Sequence, residues 1–75
     1  MKMSEMKTGQ QATILSINLE ENICKTLYEI GLTEGVEVKL IRIAGFNGPY
    51  ELYVRGFHLA IRKRDAENIM VEIWI

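Results

Sequence analysis

Few side chains in this sequence could act as nucleophile or base: Ser4 and Ser16, a single cysteine, Cys24, and a single histidine, His58. A nucleophile needs a base within hydrogen-bond reach, and Cys24 with His58 is the pair that would have to supply it. Nothing in their spacing brings them together. Cys24 falls in a helical pattern near the expected core, and His58 falls in a strand pattern facing outward. Metal ligands are equally sparse. Glu20, Glu21 or Glu29 could join Cys24 or His58, yet structural zinc sites usually show paired Cys or His at short spacing, and no such pair exists here. The expectation is a protein without catalysis and without a cofactor, in which Cys24 and His58 are the weak candidates for loose transition-metal binding.

Phosphate and nucleic-acid chemistry fare no better. Gly45-Phe46-Asn47-Gly48 spells the GXXG loop that grips a nucleic-acid backbone in KH domains, but it lies between two strand patterns and is followed by Pro49, so it reads as a hairpin turn. No Gly-rich loop ends in Lys-Ser or Lys-Thr, which excludes a P-loop. Arg62-Lys63-Arg64, with Arg55 across a turn, concentrates positive charge that suits either solvent or an acidic patch on a partner. Nine Lys plus Arg against ten Asp plus Glu give a net charge of -1, so the global basic footprint of a nucleic-acid binder is absent.

These residues must be carried by one small unit. At 75 residues there is room for a single domain over 1–75, whose core is too small to be hollowed by a deep cleft. The apolar fraction of 48% is high, but no run approaches the roughly 20 apolar residues that span a bilayer. Met1 to Lys7 alternates charged and apolar residues without the apolar centre of a secretory signal, and a lone cysteine suits a reducing compartment. The expected location is cytoplasmic, with any membrane contact made through a partner.

The periodicities predict five strands and one helix. β-branched residues from Gln10 to Ile17 mark a first strand. Asn18 followed by Glu21 resembles a helix N-cap, and Ile23, Leu27 and Ile30 recur at helical spacing up to Gly31, which can end the helix in the left-handed conformation. Val36, Val38 and Leu40 alternate with Glu37 and Lys39, after which Ile41 and Ile43 suggest a strand covered on both faces. Tyr50, Leu52 and Val54 resume beyond the Gly45 to Pro49 turn. Arg55-Gly56-Phe57 reverses the chain into His58 to Ile61, Asp65 to Asn68 makes a turn or a single helical turn, and Ile69, Val71, Ile73 and Ile75 alternate with Met70, Glu72 and Trp74. Trp74 is expected on the face opposite the Ile/Val row, partly exposed. Short strands joined by tight turns suggest a partly closed barrel, all-β with one short helix, rather than an open sheet.

The order of motifs resembles the FeoA family, small cytoplasmic companions of the FeoB ferrous-iron permease. Four stretches carry the likeness: Lys7-Thr8-Gly9-Gln10-Gln11-Ala12-Thr13-Ile14; Leu27-Tyr28-Glu29-Ile30-Gly31-Leu32-Thr33-Glu34-Gly35-Val36-Glu37-Val38; Asn47-Gly48-Pro49-Tyr50; and Val54 through Arg62 with Asp65-Ala66 and Ile69-Met70-Val71. The second is the most specific, with Ile30 in the first Leu position of a Leu-Gly-Leu-x-x-Gly-like signature. Two departures stand out: Lys25-Thr26 where many members carry a basic pair, and Glu34 where Pro is common.

The resemblance implies a small five-stranded SH3-like barrel, no catalysis, and a role in ferrous-iron uptake through the cytoplasmic part of FeoB. Docking would use the corner Leu27, Ile30, Gly31, Leu32, Glu34 and Gly35, together with the face of Arg55, His58 and Arg62. The same motif order also resembles the SH3-like C-terminal domain of DtxR-type iron regulators, so the alternative is a metal-responsive module binding iron(II) or zinc. Self-association is compatible with either reading, and the sequence does not decide it.

Overall fold

The structure, a computed structural model, describes residues 1–74. Strands β1 (Gln11–Ile17), β2 (Glu37–Ile43), β3 (Tyr50–Val54), β4 (Phe57–Ile61) and β5 (Ile69–Ile73) form one antiparallel sheet in the order β4-β3-β2-β1-β5. Helix α1 (Glu21–Glu29) lies between β1 and β2, and one-turn α2 (Lys63–Ala66) connects β4 to β5. The strands curl around a single core, giving the five-stranded SH3-like barrel expected from the sequence. Ile75, the last residue of the expected fifth strand, lies outside the described residues.

Alternation decides which side chains enter that core. Ala12 and Ile14 from β1, Val38 and Leu40 from β2, Tyr50, Leu52 and Val54 from β3, Ile61 from β4 and Ile69 and Val71 from β5 are all buried and line the interior. Burying each large apolar side chain contributes about 1.5–3 kcal/mol, so this row supplies most of the driving force for closure.

Two strands keep the alternation only by skipping a residue. The register runs Leu40↔Leu52 and then Arg42↔Glu51, so Ile41 is the extra residue of a bulge. In β1, Ile14↔Val71 is followed by Ser16↔Met70, so Leu15 is bulged in the same way. A bulge inserts one residue and shifts the phase of everything beyond it. Ile43 and Ile17 are thereby returned to the inner face, against Tyr50 and Ile69. Ile41, expected within a strand covered on both faces, is instead exposed, as is Leu15.

The helix begins later than its sequence suggests. Its N-cap is Glu20, without a side-chain cap, while the Asn18 amide donates to the Asn68 carbonyl at 2.8 Å and so joins the loop before β5. The expected apolar stripe is also shorter. Leu27 is buried and Ile23 half-buried against the core, but Ile30 is the C-cap and is exposed, because the chain has left the helical path there.

The N-terminal segment is part of the barrel. Met3 and Met6 are buried in the core around a 3-10 turn, Met3–Glu5. Lys2 pairs antiparallel with Met70, and the Val71 amide donates to the Met1 carbonyl at 2.7 Å, so the outer edge of β5 is covered.

Candidate protein-docking surface

The corner after α1 is built by a left-handed glycine. Gly31 has φ +95, its amide donates to the Tyr28 carbonyl at 3.0 Å, and the Leu32 amide reaches back to the Leu27 carbonyl at 2.8 Å. These two bonds make a Schellman cap, and the buried pair Leu27 and Leu32 supplies the apolar contact that accompanies it. The next turn is held to β1: the Gly35 amide donates to the Ile14 carbonyl at 2.8 Å and the Ile14 amide to the Val36 carbonyl at 2.9 Å. The corner is therefore fixed by backbone bonds on both sides.

Of the residues expected to meet a partner here, Ile30, Glu34 and Gly35 are exposed, and Gly31 is half-buried. Leu27 and Leu32 are not on the surface. At 7% and 0% exposure they support the corner from beneath, since the Schellman turn folds Leu32 inward onto the last helical turn. Tyr28, 68% exposed, and Phe57 are apolar surface that the sequence reading did not single out. Tyr28 was legible in principle, because it follows Leu27 by about 100° around a helix whose other side is buried. Phe57 pairs with Val54 next to the β3–β4 turn, and a Cβ placed on Gly31 would lie 3.8 Å from its ring, so the corner after α1 and β4 meet at this point.

The second expected face follows β4. Arg55 and Gly56, with φ 47 and φ 91, form the two-residue turn between β3 and β4, the positive-φ geometry of a type I′ hairpin. Arg55, His58 and Arg62 are all exposed. The His58 ring meets the Tyr53 ring edge to face, with centroids 5.1 Å apart at 82°. The Arg62 Nε lies 3.2 Å from Asp65 Oδ2 at the start of α2. The two faces are adjacent, since Phe57 belongs to β4 and touches the Gly31 corner.

Cys24 and His58 occupy different regions. The Cys24 thiol points to the Leu19 carbonyl at 3.4 Å and lines a groove of about 380 Å³ with Ile17, Glu21, Lys25, Tyr28 and Glu34, whereas His58 stands beside Tyr53 on the outer face of the hairpin. Among the described residues there is no group of three or more His, Cys, Asp or Glu that could hold a metal ion. No helix there is long and apolar enough to cross a membrane.

Fold and surface together define a small SH3-like barrel whose distinctive chemistry is an exposed aromatic corner beside an arginine-flanked strand. The FeoA domain model matches residues 1–73, and the chain belongs to the FeoA domain family, which is associated with ferrous iron transport. The FeoA protein of Chlorobium tepidum is 35% identical and superposes with a TM-score of 0.95 over 100% of this chain and 71% of that one. The FeoA of Stenotrophomonas maltophilia, solved with zinc and described as a prokaryotic SH3 domain protein, is 28% identical with a TM-score of 0.78, covering 96% of this chain and 89% of that one. A fusion of Fe(2+) transport protein A with the Fe(2+) transporter FeoB from Porphyromonas gingivalis is 27% identical over 73 residues, 97% of this chain but 9% of that protein. The chain thus spans about a tenth of the length of this curated relative.

Proposed function

We propose that this chain, a single domain over residues 1–75, is a non-catalytic cytoplasmic accessory of ferrous-iron uptake that binds the cytoplasmic part of a FeoB-type permease and modulates its transport. The observation that carries the reading is the fused relative, in which a FeoA part and a FeoB transporter share one polypeptide. Fusion keeps two modules at high effective concentration, which is useful where they work in contact. The docking surface would be the exposed corner of Ile30, Gly31, Glu34 and Gly35, with Tyr28 on the turn before it, and the Arg55, His58 and Arg62 face, with Phe57 joining the two and Leu27 and Leu32 holding the corner rigid. A barrel of this kind changes a transporter only by binding one of its conformations more tightly than another.

The test is a titration of the isotope-labelled chain with the FeoB cytoplasmic domain in its nucleotide-free, GDP and GTP-analogue states. Saturable shifts on the two faces, with affinity that differs between states, are expected. Absence of binding in every state at both low and high salt overturns the reading.

The zinc complex of the Stenotrophomonas maltophilia relative favours one second reading, weak binding of iron(II) or zinc at His58 or Cys24, with ligands shared between copies or with a partner. Anaerobic calorimetry with iron(II) checks it: heat lost in His58→Ala supports the site, and heat unchanged in both His58→Ala and Cys24→Ala removes it.

A further inference from the structure

One sheet edge of this barrel is covered and the other is open. The outer edge of β5 is paired with the Met1 and Lys2 backbone, while among the described residues β4 pairs with β3 alone. The register fixes which groups on β4 are free. Val54↔Phe57 closes the two-residue hairpin, and the pair next to such a turn exchanges both of its hydrogen bonds, after which bonded and non-bonded pairs alternate. Leu52↔Leu59 and Tyr50↔Ile61 are then the bonded pairs, so the N–H and C=O groups of His58 and Ala60 turn outward.

Open edges are normally guarded by a bulge, a proline or an inward charge. The segment Phe57-His58-Leu59-Ala60-Ile61 has none of these, and Ile61 is its one buried residue. What flanks it is charge: Arg55 before the strand and Arg62, Lys63 and Arg64 after it, all exposed. That charge selects the occupant. Two copies pairing antiparallel about Leu59 would bring Arg62 of each beside the Arg55 turn of the other, a like-charge contact at both ends. An extended segment with acidic residues at its two ends meets both clusters favourably.

We infer that β4 is a strand-addition site for an extended, acid-flanked segment of a partner protein, held by the His58 and Ala60 backbone groups and by Arg55 and Arg62. This rests on the docking-face reading above and specifies its mode. Backbone pairing supplies affinity in such contacts, and alternate side chains supply selectivity.

The test uses the full chain, isotope-labelled, and a blocked Glu-Thr-Val-Thr-Val-Thr-Glu peptide, with a twin carrying Lys at both ends. The acidic peptide is expected to shift the His58 and Ala60 amides saturably and slow their hydrogen exchange, and the Lys twin to bind about tenfold more weakly, a difference of roughly 1.4 kcal/mol. Ala60→Pro removes an outward N–H without removing a ladder bond and is expected to abolish the response. Arg55→Asn with Arg62→Gln keeps the turn, because Asn tolerates positive φ, and is expected to weaken binding about tenfold, a loss of roughly 1.4 kcal/mol. No saturable shift at millimolar peptide, equal response to the Lys twin, or full binding by folded Ala60→Pro overturns the inference. With the FeoB cytoplasmic domain in place of peptide, binding untouched by Ala60→Pro overturns strand addition alone. Peptide binding without any FeoB binding overturns the partner reading alone.

Discussion

The phenol of Tyr50 donates a 2.7 Å hydrogen bond to the Ser4 carbonyl, 46 residues away in sequence. Tyr50 is buried on the inner face of β3, so its hydroxyl must find a partner there, and the N-terminal 3-10 turn provides one. The bond ties the Met3 and Met6 side chains to the end of the barrel they fill. Tyr50→Phe keeps the ring and removes the donor, leaving the carbonyl short of a partner; a loss of about 0.5–1.5 kcal/mol is expected, read as a lower urea midpoint with an unchanged slope.

Met3→Ala is expected to cost more, about 2–5 kcal/mol, because a fully buried side chain is replaced by a cavity. Met1→Ala, at an exposed position, serves as the control and should stay within about 0.5 kcal/mol. A Met3→Ala protein as stable as the parent by urea unfolding would show that the segment is not part of the core.

The N-terminal segment marks a limit of what the sequence reveals. Its mixture of Lys2, Ser4, Glu5 and Lys7 with three methionines has no sustained period of 2 or 3.6, because a 3-10 turn of three residues is too short to establish one. The strands were legible for the opposite reason: Val38, Leu40, Leu52, Val54, Ile69 and Val71 alternate in runs long enough to fix a buried face. Bulges lay between these cases. The doublets Leu40-Ile41 and Ile14-Leu15 are visible as broken alternation, but the same break also describes a strand covered on both sides, and only the pairing register separates the two. Of the docking surface, the glycine corner was legible from Gly31 and Gly35, whereas the open edge at β4 depends on which strand pairs with which, a property of the closed fold rather than of any local stretch.

Gly31 and Gly48 test two different reasons for glycine. At Gly31 the backbone is left-handed, but a Cβ would sit at an ordinary 3.8 Å from the Phe57 ring, so Gly31→Ala carries only the conformational cost of about 1–2 kcal/mol. At Gly48 a Cβ would overlap the Ala44 backbone, so Gly48→Ala must rebuild the β2–β3 loop. Amide shifts are expected to stay confined to the α1 corner for Gly31→Ala and to spread through residues 44 to 49 for Gly48→Ala. The reverse pattern would contradict the geometry.

Trp74, the single tryptophan, is a natural reporter of how the last strand is held. Its Nε1 donates to the Thr13 Oγ1 at 2.8 Å, and its amide donates to the Gln11 carbonyl at 2.8 Å, so β5 continues against β1 for one residue beyond its last paired position. The ring is 44% exposed. Thr13→Val removes the acceptor on the solvent side and is expected to change the tryptophan emission while lowering stability by less than about 1 kcal/mol. An unchanged spectrum would mean that the indole is not held to Thr13 in solution.

The bulged residues Leu15 and Ile41 give the sharpest contrast between hydrophobic type and structural role. Both are large aliphatics in strands, yet each is the extra residue that points outward, at 50% and 36% exposure. Replacing either with Thr puts a β-branched residue in the strand and removes apolar surface that was never in the core, so the stability change should stay within about 0.5 kcal/mol. Leu40→Ala and Leu52→Ala, directly opposite each other on the inner face and fully buried, are each expected to cost about 2–5 kcal/mol. Urea unfolding of the four variants separates exposed from covered positions. If Ile41 instead lay in a strand covered on both faces, Ile41→Thr would lose as much as the core variants.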